Sequence, residues 1–183
     1  SSGWGDACIL VPWTLYEAYG DKTILEENYE MMVRWLAFVE KRAKKTRIQN
    51  LRNPYKKYLV DEGFHFGEWL EPDVNSKDAL KQTLMKGSPE VPTAYFAYSA
   101  YLLSVAAKKT GKDSESKYYL NLSEKIKEAY RAYFVKNGKI NSDRQASYVR
   151  PIALDILNQS EKQTASNNLN ELVKNNNYHL NTG

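Results

Sequence analysis

Apolar residues recur at helical spacing along most of the chain. From Thr23 to about Lys44 they form one stripe, with Glu and Lys on the opposite face, which predicts an amphipathic helix. The preceding segment, Asp6–Gly20, is apolar on every side between Ile9 and Trp13, which predicts a helix buried all round. Four further helices are predicted, from near Pro89 or Pro92 to Gly111, over Ser114–Asn137 and Gln145–Leu157, and from Ser160 to the asparagine run at 175–177.

Turn residues join these helices in pairs. Asp6 is a candidate N-cap and Gly20 a candidate stop for the first helix, while Thr23 and Glu26 have the spacing of a capping box. Short connections of this kind predict antiparallel hairpins. No repeat of fixed period is visible, and the one strand pairing expected involves Lys139-Ile140. We therefore expect a single all-α domain over residues 1–183, whose three hairpins form about half of an (α/α)6 toroid.

One long irregular loop interrupts the helical pattern between Thr46 and Ser88, with a short helix expected over Ser76–Met85. Loops of this length in a compact domain are usually functional or disordered. The loop contains Phe64–Pro72, which combines two Phe, one Trp, one His and two carboxylates. An indole can cover the C–H face of a pyranose while carboxylates accept hydrogen bonds from its hydroxyls, so this mixture suits a sugar. The alternative is a packed loop whose aromatic residues belong to the core and whose Glu residues face solvent.

Composition and charge exclude several classes of function. The net charge is +4 and the cations are spread among Asp and Glu, apart from a basic run at Lys41–Arg47 that is interpreted as a solvated helix end, so nucleic-acid binding is not expected. Cys8 is the single cysteine, which excludes an internal disulfide, and two His without clustered carboxylates predict no metal site and no cofactor. No segment has the length and apolarity of a membrane span. The chain does not begin with Met and is expected to be truncated, so its compartment stays unknown.

Several linked motifs resemble the bacterial α-L-rhamnosidases and together cover nearly the whole chain. They occur in the order Gly3–Ala7, Val11–Tyr16, Phe66–Leu70, Thr93–Ser99 and His179–Gly183. The resemblance implies that the chain is the central part of an (α/α)6 catalytic domain. It also implies that the parent enzyme hydrolyses terminal α-L-rhamnosyl linkages with inversion.

The same resemblance implies the residues that bind the sugar. Trp4 and Trp69 would form walls of the rhamnose pocket, and Asp6 and Glu68 would bond to its hydroxyls, although Glu68 stands where the family usually has Asp. His65 is either a hydroxyl partner or a residue that packs the loop. Asp6 could instead serve only as a helix cap, and Trp4 as the hydrophobic staple of the first helix.

An inverting glycosidase needs a general acid and a general base, about 6.5–9.5 Å apart. In the family that this chain resembles, the acid comes from an Asp-Glu-Arg-x-Gly-Trp motif upstream and the base from a Trp-Glu segment downstream. Neither motif occurs in these 183 residues, so no catalytic residue is assigned and the segment alone is expected to be inactive.

The partners expected are a rhamnosylated glycoside or polysaccharide as substrate and the remainder of the catalytic domain. No nucleic acid and no membrane is expected, whereas the isolated segment is expected either to self-associate or to be marginally stable. Two alternatives stay open from the residues alone. One is another toroid enzyme that acts on carbohydrate, such as a glucuronyl hydrolase or a lyase. The other is a non-catalytic helical scaffold that binds a protein through an exposed apolar groove.

Overall fold

The structure, a computed structural model, describes residues 2–45, 54–61, 90–140 and 142–180. Within these ranges it is helical, as predicted, and contains one two-stranded antiparallel hairpin in which Val135 pairs with Ile140. The predicted helix over Ser76–Met85 lies outside the described residues. In chain order the elements are α1 (Ala7–Tyr19), α2 (Thr23–Ala43), a 3₁₀ turn (Tyr55–Tyr58), α3 (Glu90–Lys109), α4 (Asp113–Phe134), β1 (Val135–Lys136), β2 (Lys139–Ile140), α5 (Gln145–Ala153) and α6 (Gln159–Asn175).

Consecutive helices form antiparallel hairpins. Gly20 ends α1 in the left-handed conformation, with φ 70°, which confirms the predicted stop. In the α3–α4 hairpin, the hydroxyl of Ser123 donates to the carbonyl of Ala97 at 2.9 Å, and the hydroxyl of Tyr130 donates to Glu90 at 2.6 Å. Residues near the end of α4 thus contact residues near the start of α3, so the two helices run antiparallel. The hydroxyl of Ser123 can reach the α3 backbone because the contact face of α3 carries small side chains.

The predicted capping box at the start of α2 is wrong. The helix begins one residue earlier than a Thr23 cap requires, with Lys22 at the N-cap position and no capping hydrogen bond from a side chain. The backbone N–H of Thr23 instead donates to Asp21 at 2.9 Å. This bond, together with one to the Thr23 side chain, holds the pKa of Asp21 below its ordinary value.

Helix α5 ends earlier than the sequence pattern indicates. It stops at Ala153 rather than at Leu157, because Asp155 adopts a left-handed conformation with φ 52°. That turn lets the N–H of Ile156 donate to the carbonyl of Pro151 at 3.0 Å. Helix α6 then starts with a complete capping box between Asn158 and Glu161. The chain thus reverses within a few residues to form the third hairpin.

The main core lies between α1, α2, α3 and α4, with α3 at its centre. Thirteen of the residues of α3 are buried, which is more than in any other described helix. Helix α2 faces this core with the apolar stripe that its sequence predicts. The buried residues of that stripe are Leu25, Tyr29, Met32, Leu36 and Val39.

Helix α1 is not buried all round, contrary to the prediction. Ile9 and Pro12 are its buried residues, whereas Val11, Leu15 and Tyr19 are exposed. In the part of the chain that the structure describes, α1 packs against α2 and α3 on one side only. Its sequence is apolar enough for a second layer of neighbours that these residues do not provide.

Candidate functional site

The candidate site is built on the turn from Gly3 to Asp6, which leads directly into α1. Gly3 has φ 79°, a left-handed conformation that favours glycine. The carbonyls of Trp4 and Gly5 accept hydrogen bonds from Ala7 and Cys8, at 3.3 and 3.1 Å. The turn is therefore a continuation of the helical backbone, and it carries one large side chain, that of Trp4, at its tip.

The carboxylate of Asp6 closes this turn from inside. One oxygen, Oδ2, accepts the backbone N–H of Gly3 at 2.8 Å. The other, Oδ1, accepts the indole N–H of Trp35 at 2.8 Å and the hydroxyl of Ser99 at 3.1 Å. Asp6 is 2% exposed, so these three donors replace the water that a carboxylate would otherwise bind.

Asp6 also stands at the N-cap position of α1, but its side chain does not cap the helix. Its backbone carbonyl accepts the N–H groups of Ile9 and Leu10, at 2.8 and 2.9 Å, while the carboxylate turns toward α2 and α3. The interpretation of the Asp6 carboxylate as a simple cap is therefore wrong. Its bonds cross-link the turn to two other helices.

Gly5 allows the turn to lie flat on the ring of Trp35. A Cβ at this position would overlap the Cη2, Cζ2 and Cζ3 atoms of that ring, so no larger residue fits without a shift. Trp35 itself is half-buried, packs on the main core and contacts Phe38 at 5.6 Å between ring centroids. Its position on α2 therefore fixes the height of the turn above the core.

Trp4 is 76% exposed, in contrast to the carboxylate two residues later. The other tryptophans that the structure describes, Trp13 and Trp35, are half-buried and pack against the main core. The turn thus presents one indole to solvent on a backbone that is bonded at both ends. Such an arrangement can place an aromatic face against a ring-shaped ligand.

The other predicted sugar-binding residues, His65, Glu68 and Trp69, lie outside the described residues. The structure therefore brings together Asp6 and the turn that carries Trp4. It adds two residues that the sequence interpretation did not assign to the site, Trp35 and Ser99. A usable signal for Ser99 was present, because a polar side chain in the apolar centre of a helix needs a buried partner.

A second polar cluster joins the start of α3 to α4 and α5, and no pattern in the sequence indicates it. Arg150 donates to both oxygens of Glu90, from Nε at 3.2 and 3.1 Å and from Nη2 at 2.9 Å. The hydroxyl of Tyr130 donates to the same carboxylate. Burial, and then the charge of Glu90, raises the pKa of Tyr130 well above its ordinary value, so the phenol stays a donor. This cluster fixes where α3 begins.

Neither a metal site nor a membrane span is found in the part of the chain that the structure describes. There, no three His, Cys, Asp or Glu side chains come together as ligands for an ion. In the same residues, every helix is too short or too polar to cross a lipid bilayer.

Comparison with known proteins identifies the family. Residues 1–183 match the model of the bacterial alpha-L-rhamnosidase 6 hairpin glycosidase domain. An alpha-L-rhamnosidase of Formosa agariphila is 34% identical over 188 residues, which cover 100% of this chain and 18% of that protein. One of Streptomyces avermitilis is 32% identical over 184 residues, which cover 100% of this chain and 15% of that protein.

Solved structures agree with the sequence comparison. The crystal structure of Streptomyces avermitilis alpha-L-rhamnosidase complexed with L-rhamnose has a TM-score of 0.76 and 30% identity, covering 97% of this chain and 15% of that one. Native alpha-L-rhamnosidase from Aspergillus terreus has a TM-score of 0.79 and 27% identity, covering 98% and 20%. The chain spans about a fifth or less of the length of these relatives. The resemblance and the partial helical toroid predicted from the sequence are confirmed, and the chain belongs to the family of bacterial alpha-L-rhamnosidase six-hairpin glycosidase domains.

Proposed function

We propose that this chain is part of the catalytic domain of a glycoside hydrolase that releases terminal α-L-rhamnose from glycosides with inversion. The observation that carries the proposal is the exposed indole of Trp4 on a turn that a buried carboxylate closes. An indole face is suited to the C–H surface of a deoxyhexose. Relatives that match the whole chain are alpha-L-rhamnosidases, which favours this sugar over the substrates of glucuronyl hydrolases or lyases.

In this proposal Trp4 and Trp69 line the rhamnose pocket, and Glu68 and His65 bond to hydroxyls of the sugar. A direct contribution from Asp6 is limited, because its oxygens already accept three hydrogen bonds from the protein. The substrate is a rhamnosylated glycoside or polysaccharide.

The general acid and the general base come from other parts of the catalytic domain in this proposal. No residue of this chain is given either role, because inversion requires a defined pair of carboxyls and neither family motif is present. The exposed apolar face of α1 supports the same view, since it is a surface on which further helical hairpins can pack. The remainder of the six-hairpin domain is therefore the main partner.

Calorimetric titration of this chain with L-rhamnose tests the proposal. We expect binding that weakens about tenfold or more on Trp4→Ala, which corresponds to ~1.4 kcal/mol. Tyr178→Ala is the matched control, because Tyr178 is equally exposed but follows α6 at the other end of the chain. Equal binding by the wild type and Trp4→Ala, or equal binding of L-rhamnose and D-galactose, would contradict the proposal.

Turnover of a nitrophenyl α-L-rhamnoside tests where the catalytic groups lie. We expect no hydrolysis by this chain alone, because it supplies no assigned acid and base. Hydrolysis at enzyme-like rates that is lost on Glu68→Gln would show that a catalytic group lies within this chain, which would contradict the proposal.

A further inference from the structure

We infer that Asp6, Trp35 and Ser99 act as one positioning unit, which holds Trp4 in a fixed orientation for the sugar. The inference rests on the proposed function of Trp4 and deepens it. It assigns to Asp6 an indirect role through the turn in place of a hydrogen bond to the substrate.

The geometry of the carboxylate is the first argument. Its Oδ2 holds the N–H of Gly3, the residue that begins the turn, and its Oδ1 holds donors from α2 and α3. The side chain therefore connects the start of the turn to two helices of the main core. Trp4 lies between Gly3 and Asp6, so both of its flanks are tied to the same carboxylate.

Burial is the second argument. Ser99 is fully buried and Asp6 almost so, whereas Trp4 projects into solvent. A buried carboxylate that accepts three good hydrogen bonds is expensive to disturb, because any donor released would lack water as a substitute. The backbone of the turn consequently has little freedom to move, and a side chain carried on a fixed backbone loses less conformational entropy when a ligand binds.

The close packing of Gly5 is the third argument. The backbone of the turn lies against the ring of Trp35, whose indole N–H is bonded to Asp6. Trp35 therefore supports the turn in two ways, as a surface beneath Gly5 and as a hydrogen-bond donor. Trp35 and Ser99 act on the sugar site through Asp6 and the turn, so they are positioning residues.

Two variants test the inference. Ser99→Ala removes one donor from Oδ1, and Trp35→Phe removes the other donor together with the indole ring atoms that lie beneath Gly5. We expect each to weaken L-rhamnose binding about three- to tenfold, because Trp4 loses its fixed orientation. Ser104→Ala is the matched control, since Ser104 is also a buried serine of α3 but donates to the carbonyl of Tyr101. It is expected to bind L-rhamnose as the wild type does.

A spectroscopic readout separates this inference from the proposed function. In the chain labelled with 5-fluorotryptophan, the ¹⁹F resonance of Trp4 is assigned from its loss in Trp4→Phe. We expect that resonance to shift and narrow in Ser99→Ala and Trp35→Phe, and to stay unchanged in Ser104→Ala. An unchanged Trp4 resonance in the first two variants would overturn the inference, whether or not L-rhamnose binds.

Asp6→Asn distinguishes an indirect role from direct contact with the sugar. An amide nitrogen would face one of the three donors, so we expect the Trp4 resonance and L-rhamnose binding to change together. If binding falls while the Trp4 resonance is unchanged, and Ser99→Ala binds normally, Asp6 contacts the sugar itself and the inference is wrong. Failure of the wild type to bind L-rhamnose would instead count against the proposed function.

Discussion

Helices α1 and α3 both have largely apolar sequences but very different surroundings. Helix α3 buries thirteen residues, and Tyr101 is its one large exposed apolar side chain. Helix α1 buries two, and its Val11, Leu15 and Tyr19 face solvent. The difference lies in which neighbours the chain supplies, because apolar side chains gain free energy only where another element covers them. The surplus apolar face of α1 therefore marks a surface on which a further element can pack.

The largest difference between the two helices is expected for leucine truncation. Leu103 of α3 is fully buried, so Leu103→Ala leaves a cavity and should lower the free energy of unfolding by about 2–5 kcal/mol. Leu15 of α1 is 40% exposed, and Leu15→Ala should cost less than about 1 kcal/mol. Urea unfolding followed by circular dichroism measures both. Equal losses would mean that α1 is covered in solution by something other than α2 and α3.

A second test concerns the start of α3, which the ion pair between Glu90 and Arg150 holds in place. Glu90→Gln removes the charge that Arg150 neutralises, and should destabilise the protein by about 2 kcal/mol. The control is Glu30→Gln on α2, whose pair with Arg34 is exposed on both sides and should contribute less than about 0.5 kcal/mol. A loss below 1 kcal/mol for Glu90→Gln in the same unfolding assay would show that the pair contributes little to the position of α3.

The sequence predicted the elements whose signals are local. The stripe of α2 follows from its period, and the end of α1 from Gly20, because both depend on residues close together in the chain. The capping box at Thr23 failed because Asp21 competes for the backbone N–H of Thr23. Helix α5 is shorter than predicted because the sequence pattern continues through Asp155, whereas the backbone adopts a left-handed conformation at that residue.

The candidate site was less predictable, because it depends on contacts between distant residues. The sequence indicates Asp6 as a cap or a sugar contact, yet two of the three donors to its carboxylate are 29 and 93 positions away. No period or spacing in one sequence links such positions. The Glu90–Arg150 pair is hidden for the same reason, because its members are 60 positions apart in the chain. Family motifs indicated Trp4, and the roles of His65, Glu68 and Trp69 remain predictions.

At alkaline pH a buried tyrosine and an exposed one should affect the stability of the fold differently, and this effect is expected to be smaller than those of the substitutions above. Burial, and then the charge of Glu115, raises the pKa of Tyr119 to about 12, above the value of about 10 for an unfolded tyrosine. Since the folded state holds this proton more tightly, its contribution to stability is complete below pH 10 and is lost as the pH rises to about 12.

Thermal unfolding between pH 8 and 12 measures this loss. We expect Tyr119→Phe to make the decline above pH 10 less steep, because the residue that must ionise is gone. Tyr19→Phe on the open side of α1 should leave the decline unchanged, since Tyr19 is 76% exposed. If both variants follow the wild-type profile, ionisation of Tyr119 does not contribute to the alkaline loss.

A lysine substitution on the exposed apolar surface of α1 should have the smallest effect on stability. It tests directly whether that surface drives self-association. Val11 and Leu15 are one helical turn apart and form a continuous exposed apolar surface, so the chain should self-associate through it. Leu15→Lys should reduce association in sedimentation velocity while changing the free energy of unfolding by no more than about 0.5 kcal/mol. Leu120→Lys is the control, because Leu120 is similarly exposed on α4 but has Ser116 and Glu124 as its helical neighbours. A wild type that stays monomeric at every concentration tested would show that the uncovered face of α1 does not drive association.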